Sequence, residues 1–234
     1  MILIRVTVAC VLACAMLACG GDRKSVPAAR DSAALATNTP GSPGTSGAVA
    51  SRRTVLFLGT SLTAGLGLEP DSAYPQQVQR RIDAAGLSYQ ALNAGVSGET
   101  SAGLLRRLDW VLQDSAAVIV VETGANDGLR GQSVEATKAT IGEILTRIRK
   151  ERPEARVVLV QMEAPTNLVT VYTRAFHAMF PALAREHQVT LMPFLLNGVA
   201  GEATLNQGDG VHPNLAGERI VTETVWRALR PLLR

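Results

Sequence analysis

Val118-Ile119-Val120-Val121-Glu122-Thr123-Gly124-Ala125-Asn126-Asp127-Gly128 is the stretch that decides the fold. Four consecutive apolar, β-branched residues run into a polar turn that contains glycine. Apolar residues without alternation are what a strand needs when both its faces are covered, and such strands belong to parallel sheets. Two other runs have the same character. Val55-Leu56-Phe57-Leu58 ends in Gly59, and Val157-Val158-Leu159-Val160 ends before Glu163-Ala164-Pro165. Two weaker runs complete an expected set of five. These are Tyr89-Gln90-Ala91-Leu92 before Asn93-Ala94-Gly95, and Val189-Thr190-Leu191-Met192 before Pro193.

Helical patterns lie between these runs. Ile141, Ile144, Leu145 and Ile148 recur at the spacing of one helix face, with Ser133 as the expected N-cap and Pro153 as the stop. Leu104, Leu105, Leu108, Val111 and Leu112 form a second stripe. Phe176, Met179, Phe180 and Leu183 form a third, interrupted by Pro181, and Ile220, Val221, Val225, Ala228 and Leu229 a fourth. Strands alternating with helices predict an α/β domain with a parallel sheet and right-handed crossovers. Five strands suit a three-layer α/β/α sandwich with a flavodoxin-like sheet and are too few for a (β/α)₈ barrel.

The rest of the chain bounds the function. It has 234 residues, 47% of them hydrophobic and 18% charged. That content excludes collagen-like and wholly disordered chains, and only the first stretch is apolar enough to concern a membrane. A net charge of +3 without a basic block gives no reason to expect nucleic-acid binding. All three cysteines (Cys10, Cys14 and Cys19) fall in that first stretch, so the domain has no thiol for a disulfide, a metal or catalysis.

Residues 1–18, with Arg5 ahead of a short apolar run, read as a signal peptide. The ending Met16-Leu17-Ala18-Cys19-Gly20 resembles a bacterial lipobox, with Cys19 as the lipidated residue and Met16 in place of the usual leucine. Val11-Leu12-Ala13-Cys14 is a rival site, and an ordinary secretory signal is the plain alternative. Residues 19–52 have no aromatic residue and are dense in Ala, Ser, Thr, Pro and Gly, which predicts a flexible tether. The domain is then residues 53–234. The leader and tether together imply a domain held at a bacterial cell envelope by a lipid anchor, or secreted.

Ligands of open parallel sheets bind beyond the carboxyl ends of the strands. Those positions carry Gly59-Thr60-Ser61-Leu62-Thr63-Ala64-Gly65, Asn93-Ala94-Gly95-Val96-Ser97-Gly98-Glu99-Thr100, Gly124-Ala125-Asn126-Asp127-Gly128 and Asp209-Gly210-Val211-His212-Pro213. A serine, backbone amides, an amide side chain, a carboxylate and an imidazole at one edge are the parts for acyl transfer.

In this order the four segments resemble the four blocks of the SGNH (GDSL) hydrolases, most closely the bacterial branch of arylesterases, thioesterases and lysophospholipases. The resemblance spans the domain from about Thr54 to its end. It implies Ser61 as nucleophile, His212 as general base and Asp209 as its orienting partner. It implies an oxyanion hole from the Ser61 N–H, the Gly98 N–H and the Asn126 amide. The motif around Ser97 is not a G-x-S-x-G elbow. Two positions depart from the family pattern: Thr60 stands for an aspartate, keeping one hydrogen bond and losing a charge, and Ala125 stands for a glycine, adding a methyl where the turn could need positive φ.

The resemblance implies an esterase that acts on a small ester, thioester or lysolipid substrate with no cofactor. A monomer is expected, and three scattered histidines without ligand spacing give no reason to expect a metal. The alternatives are a carbohydrate O-deacetylase of the same fold and a non-catalytic envelope binding protein. Gly65-Leu66-Gly67 is followed by Pro70 and fails as a dinucleotide fingerprint. His177 and His187 are assigned structural or surface roles, and Trp226 a place in the core. The segments 166–173 and 129–132 are expected to shape the acyl pocket.

Overall fold

The computed structural model describes residues 51–234, so the leader, Cys19 and nearly all of the tether lie outside the described residues. Five strands form one parallel sheet: β1 (Arg53–Gly59), β2 (Tyr89–Gly95), β3 (Val118–Val121), β4 (Arg156–Val160) and β5 (Thr190–Met192). Their order is β2-β1-β3-β4-β5, the flavodoxin-like arrangement. Every pairing is parallel, and in register Phe57 lies between Asn93 and Val120. The chain winds outward from β1 to β2, then reverses to β3. The crevice at that reversal, beyond the ends of β1 and β3, is where this topology leaves room for a ligand.

The helices are α1 (Ser61–Ala64), α2 (Tyr74–Ala84), α3 (Ser101–Val111), α4 (Ala125–Leu129), α5 (Val134–Glu151), α6 (Thr170–Glu186) and α7 (Leu215–Leu229). Right-handed crossovers put α2 on one face, where α7 packs against it, and α3, α5 and α6 on the other. Both faces are therefore covered, and β3 is buried at all four residues, as its unbroken apolar run requires. Ser133 caps α5 by accepting the Ala136 N–H at 3.2 Å, and Ile141, Ile144, Leu145 and Ile148 are all fully buried.

Three features differ from the sequence-based expectation. The Tyr74, Val78 and Ile82 stripe of α2 is fully buried at i, i+4 and i+8, a regular apolar face on a helix outside the four expected stripes. β2 runs on through Asn93-Ala94-Gly95, because Leu58 and Gly59 of β1 pair with Ala94 and Gly95. The α6 helix passes through Pro181 without ending. Burial of Phe176, Met179, Phe180 and Leu183 on one face offsets the backbone hydrogen bond that proline removes.

Glu218, in the first turn of α7, is buried, and its Oε2 has no hydrogen-bond partner among the described residues. Burial raises its carboxyl from 4.5 to about 8, against the opposing effect of the Tyr74 N–H. The folded carboxyl thus holds its proton more tightly than the unfolded one. Its destabilising charge is absent below about pH 4.5 and develops fully as pH rises through about 8. The expected result for Glu218→Gln is a Tm several degrees higher at about pH 9 and unchanged at about pH 4. Equal shifts at both pH values in a thermal melt would refute this account.

Candidate active site

The serine segment turns sharply after β1. Gly59 allows it: a Cβ there would lie 1.9 Å from Thr63 Oγ1 and 2.7 Å from Glu122 Oε2. Ser61 is the first residue of α1, whose first N–H groups have no partner within the helix. The segment is pinned from below by Glu122, at the end of β3. Its fully buried carboxylate accepts the Thr60 N–H at 2.7 Å, the Thr60 hydroxyl at 3.0 Å and the Thr63 hydroxyl at 2.9 Å. Burial raises the Glu122 carboxyl, and these donors oppose the rise. Thr60 keeps more than the one hydrogen bond expected of it, since its backbone and its side chain grip the same carboxylate.

The imidazole arrives from the other end of the chain. His212 Nε2 lies 2.8 Å from Ser61 Oγ, and His212 Nδ1 lies 2.6 Å from Asp209 Oδ2. Asp209 Oδ1 also accepts the N–H groups of Val211 at 2.9 Å and His212 at 3.0 Å. These backbone donors, then the imidazole, pull the Asp209 carboxyl down to about 2. A carboxylate fixed at Nδ1 selects the tautomer that leaves the Nε2 lone pair facing the serine. Gln207 holds this loop in place: its Nε2 donates to Leu66 O at 2.7 Å and to Pro213 O at 3.0 Å, joining the histidine loop to the serine segment.

Gly98 has φ of +77°, and an added Cβ would meet nothing within 4 Å. Glycine is required there by backbone conformation, not by crowding. Asn126 lies in α4 and donates one amide hydrogen to Glu99 O at 3.0 Å, which draws it toward the Gly98 loop. That loop is clamped elsewhere too. Arg107 makes two bonds to the Glu99 carboxylate, at 2.7 and 2.6 Å, and one to Ala94 O at 2.8 Å. Buried Asp127 accepts the Ser101 N–H at 2.8 Å and hydroxyl at 2.6 Å. Ala125 causes no strain, because the positive φ of that turn falls on Gly124 at +95°.

The structure thus brings Ser61, Asp209 and His212 into one hydrogen-bonded line and joins Asn126 of α4 to the loop that carries Gly98. Glu122, Gln207 and Asp127 were not singled out as functional from the sequence, because each acts through partners distant along the chain. A buried Glu at the end of an otherwise apolar strand was the available signal for Glu122. His177 is exposed on α6, as a surface assignment requires, but its Nδ1 lies 2.7 Å from Glu163 Oε1. His187 caps the C-terminus of α6, and Trp226 is half-buried against the core.

A cavity of about 790 Å³ opens beside this line. Leu62, Ala125 and Val211 bound it, the sequence neighbours of Ser61, Asn126 and His212. Leu129 lines it from one of the segments expected to shape a pocket, and Thr166, Asn167 and Thr173 from the other. Met162, Phe194 and Leu196 add apolar wall that was not anticipated. Among the described residues no cluster of His, Cys, Asp and Glu could hold a metal ion, and no helix is long and apolar enough to cross a membrane.

Residues 57–220 match the GDSL-like lipase/acylhydrolase family. The chain belongs to that family and is a hydrolase of ester bonds. It is 37% identical over 185 residues to the esterase TesA of Pseudomonas aeruginosa, covering 79% of this chain and 91% of that protein. It is 34% identical over 181 residues to an Escherichia coli protein named thioesterase 1/protease 1/lysophospholipase L1, covering 77% and 85%. The crystal structure of a psychrotrophic esterase, EstA, from Pseudoalteromonas, inhibited by monoethylphosphonate, superposes with a TM-score of 0.73 at 30% identity, covering 77% of this chain and 98% of that one.

Proposed function

We propose that Ser61 is the nucleophile of an acyl transfer from carboxylic esters or thioesters. The observation that carries the proposal is His212 Nε2 at 2.8 Å from Ser61 Oγ while its other nitrogen is held by Asp209. The Ser61 oxygen attacks the carbonyl carbon as His212 takes its proton. The Ser61 N–H, the Gly98 N–H and the Asn126 amide receive the developing oxyanion. The intermediate collapses, and the imidazolium hands its proton to the leaving alcohol or thiol. Water, activated by the same imidazole, then releases the acid from Ser61.

The apolar part of the cavity lining, with Leu62, Leu129, Met162, Phe194 and Leu196, supports an acyl chain as substrate in preference to an acetyl group on a sugar. Hydrolysis of p-nitrophenyl esters from acetyl to palmitoyl tests this. Rates should peak on chains longer than acetyl, and a profile that peaks at acetyl would favour the deacetylase. Asn126→Ala is expected to lower kcat by about a hundred- to a thousand-fold on the best of these esters. Normal turnover in that variant would remove Asn126 from the oxyanion hole.

We further propose that the domain is monomeric and tethered at the cell envelope through a lipid on Cys19. The apolar run that ends at Ala18-Cys19 and the polar, aromatic-free segment after it support the lipid anchor. Labelled palmitate should enter the wild-type protein in cells and be lost in Cys19→Ala. Label retained in that variant would defeat the assignment.

A further inference from the structure

The cavity beside Ser61 is not uniformly apolar. Besides Leu62 and Val211, helix α6 and the segment before it contribute Arg174, His177 and Glu163 to its lining. Arg174 is exposed, and its guanidinium has neither an ion pair nor a hydrogen bond among the described residues. The neighbouring charges are otherwise committed. Glu163 Oε1 sits 2.7 Å from His177 Nδ1 and accepts the Gln161 amide at 3.2 Å. Gln161 is itself buried and tied to the backbone carbonyls of Met162 and His177, so the carboxylate is held on the imidazole and makes no ion pair with the arginine. The result is an amphipathic cavity whose lining joins acyl-compatible apolar residues to one uncommitted guanidinium donor.

We propose that Arg174 recognises an anionic group carried by the ester substrate, which makes this arginine a specificity-determining residue. This deepens the serine-esterase reading and rests on it for the reaction itself. The shared chemistry is a carboxylate or phosphate separated from the scissile carbonyl by apolar atoms. A guanidinium pairs with either through two parallel N–H donors. The anion can sit at the far end of the acyl chain or on the leaving alcohol.

Two matched pairs of esters separate those sources. Ethyl hexanoate against monoethyl adipate places the added charge on the acyl end. Monooctanoylglycerol against its phosphate places it on the alcohol. Turnover is measured with the wild type and with Arg174→Gln. Equilibrium binding of the same esters is measured in a Ser61→Ala background, with and without Arg174→Gln. The expected result is that the anionic member of one pair is favoured about five- to tenfold in kcat/KM and in Kd. In Arg174→Gln the anionic ester loses that advantage through KM, and Arg174→Lys restores part of it. Raised salt should shrink the preference in the wild type.

Equal binding of anionic and neutral esters in both pairs, or a preference that survives Arg174→Gln, would overturn the inference. Arg174-dependent binding without turnover of any ester by the wild type would instead sink the serine-esterase reading and leave the anion site standing.

Discussion

Ser61→Ala is expected to lower kcat for the best p-nitrophenyl ester by on the order of a million-fold. A serine at neutral pH is a weak nucleophile, and the activation proposed for Ser61 comes from an imidazole 2.8 Å away. Removing the oxygen removes the covalent intermediate and leaves His212 and Asp209 with nothing to activate except water. Binding and the oxyanion donors remain, so a residual acceleration of about a thousand- to ten-thousand-fold over water should persist. The side chain is small and, among the described residues, makes no hydrogen bond besides that to His212, so Tm should stay close to wild type. A purified, folded Ser61→Ala protein that loses less than about a hundredfold would assign the chemistry to another group.

Asp209→Asn should cost about a thousand- to ten-thousand-fold in kcat, with a much smaller change in KM. An asparagine carbonyl can still accept the N–H groups of Val211 and His212, so the loop should keep its shape. The amide nitrogen, however, would face His212 Nδ1 as a donor. That favours the tautomer with its proton on Nε2, which cannot take a proton from Ser61. The lower end of the range allows for the half-exposed position of Asp209, where water can reorient around the pair. A fall of less than tenfold would mean that something other than Asp209 orients the imidazole.

The titration of Asp209 bears on the same experiment. Its carboxyl is depressed from 3.8 to about 2, first by the backbone N–H groups of His212 and Val211 and then by the imidazole. A depressed carboxyl adds stability above its unfolded pKa and loses it as pH falls through the folded value. The contribution is therefore intact above about pH 4 and disappears toward about pH 2. Asp209 stays charged throughout the range in which an esterase is assayed, so the Asn variant tests tautomer and orientation, not a change in its ionisation.

The parts of the site that were legible early are local in sequence. Asp209 and His212 are three residues apart, and a tight turn alone can bring one back onto the other. The glycine beside each strand end marks a sharp turn, and the strand-end rule for parallel sheets places Ser61, Gly98 and Asn126 at one edge. What escaped reading depends on distant partners. Glu122 meets Thr60 across 62 residues and Gln207 meets Leu66 O across 141, and no periodicity or spacing records either contact. The turn at Gly124 shows the same limit. A one-residue difference in where positive φ falls cleared Ala125 of strain, and only backbone geometry could decide it.

The amino-acid sequence by itself determined that this chain builds a parallel α/β domain and carries a serine, an imidazole, a carboxylate and an amide at its strand ends. Unbroken β-branched runs cannot be satisfied unless both faces of the sheet are buried, so that much follows from local pattern and the hydrophobic effect. Tertiary structure alone decided how those groups are held. It put a buried carboxylate beneath the serine turn and an amide bridge behind the histidine loop. It also left Arg174 without a partner among the described residues, in the lining of a cavity that is otherwise mostly apolar. Each is a contact between residues far apart in the chain, fixed only when the sheet order and the helix packing bring their elements together.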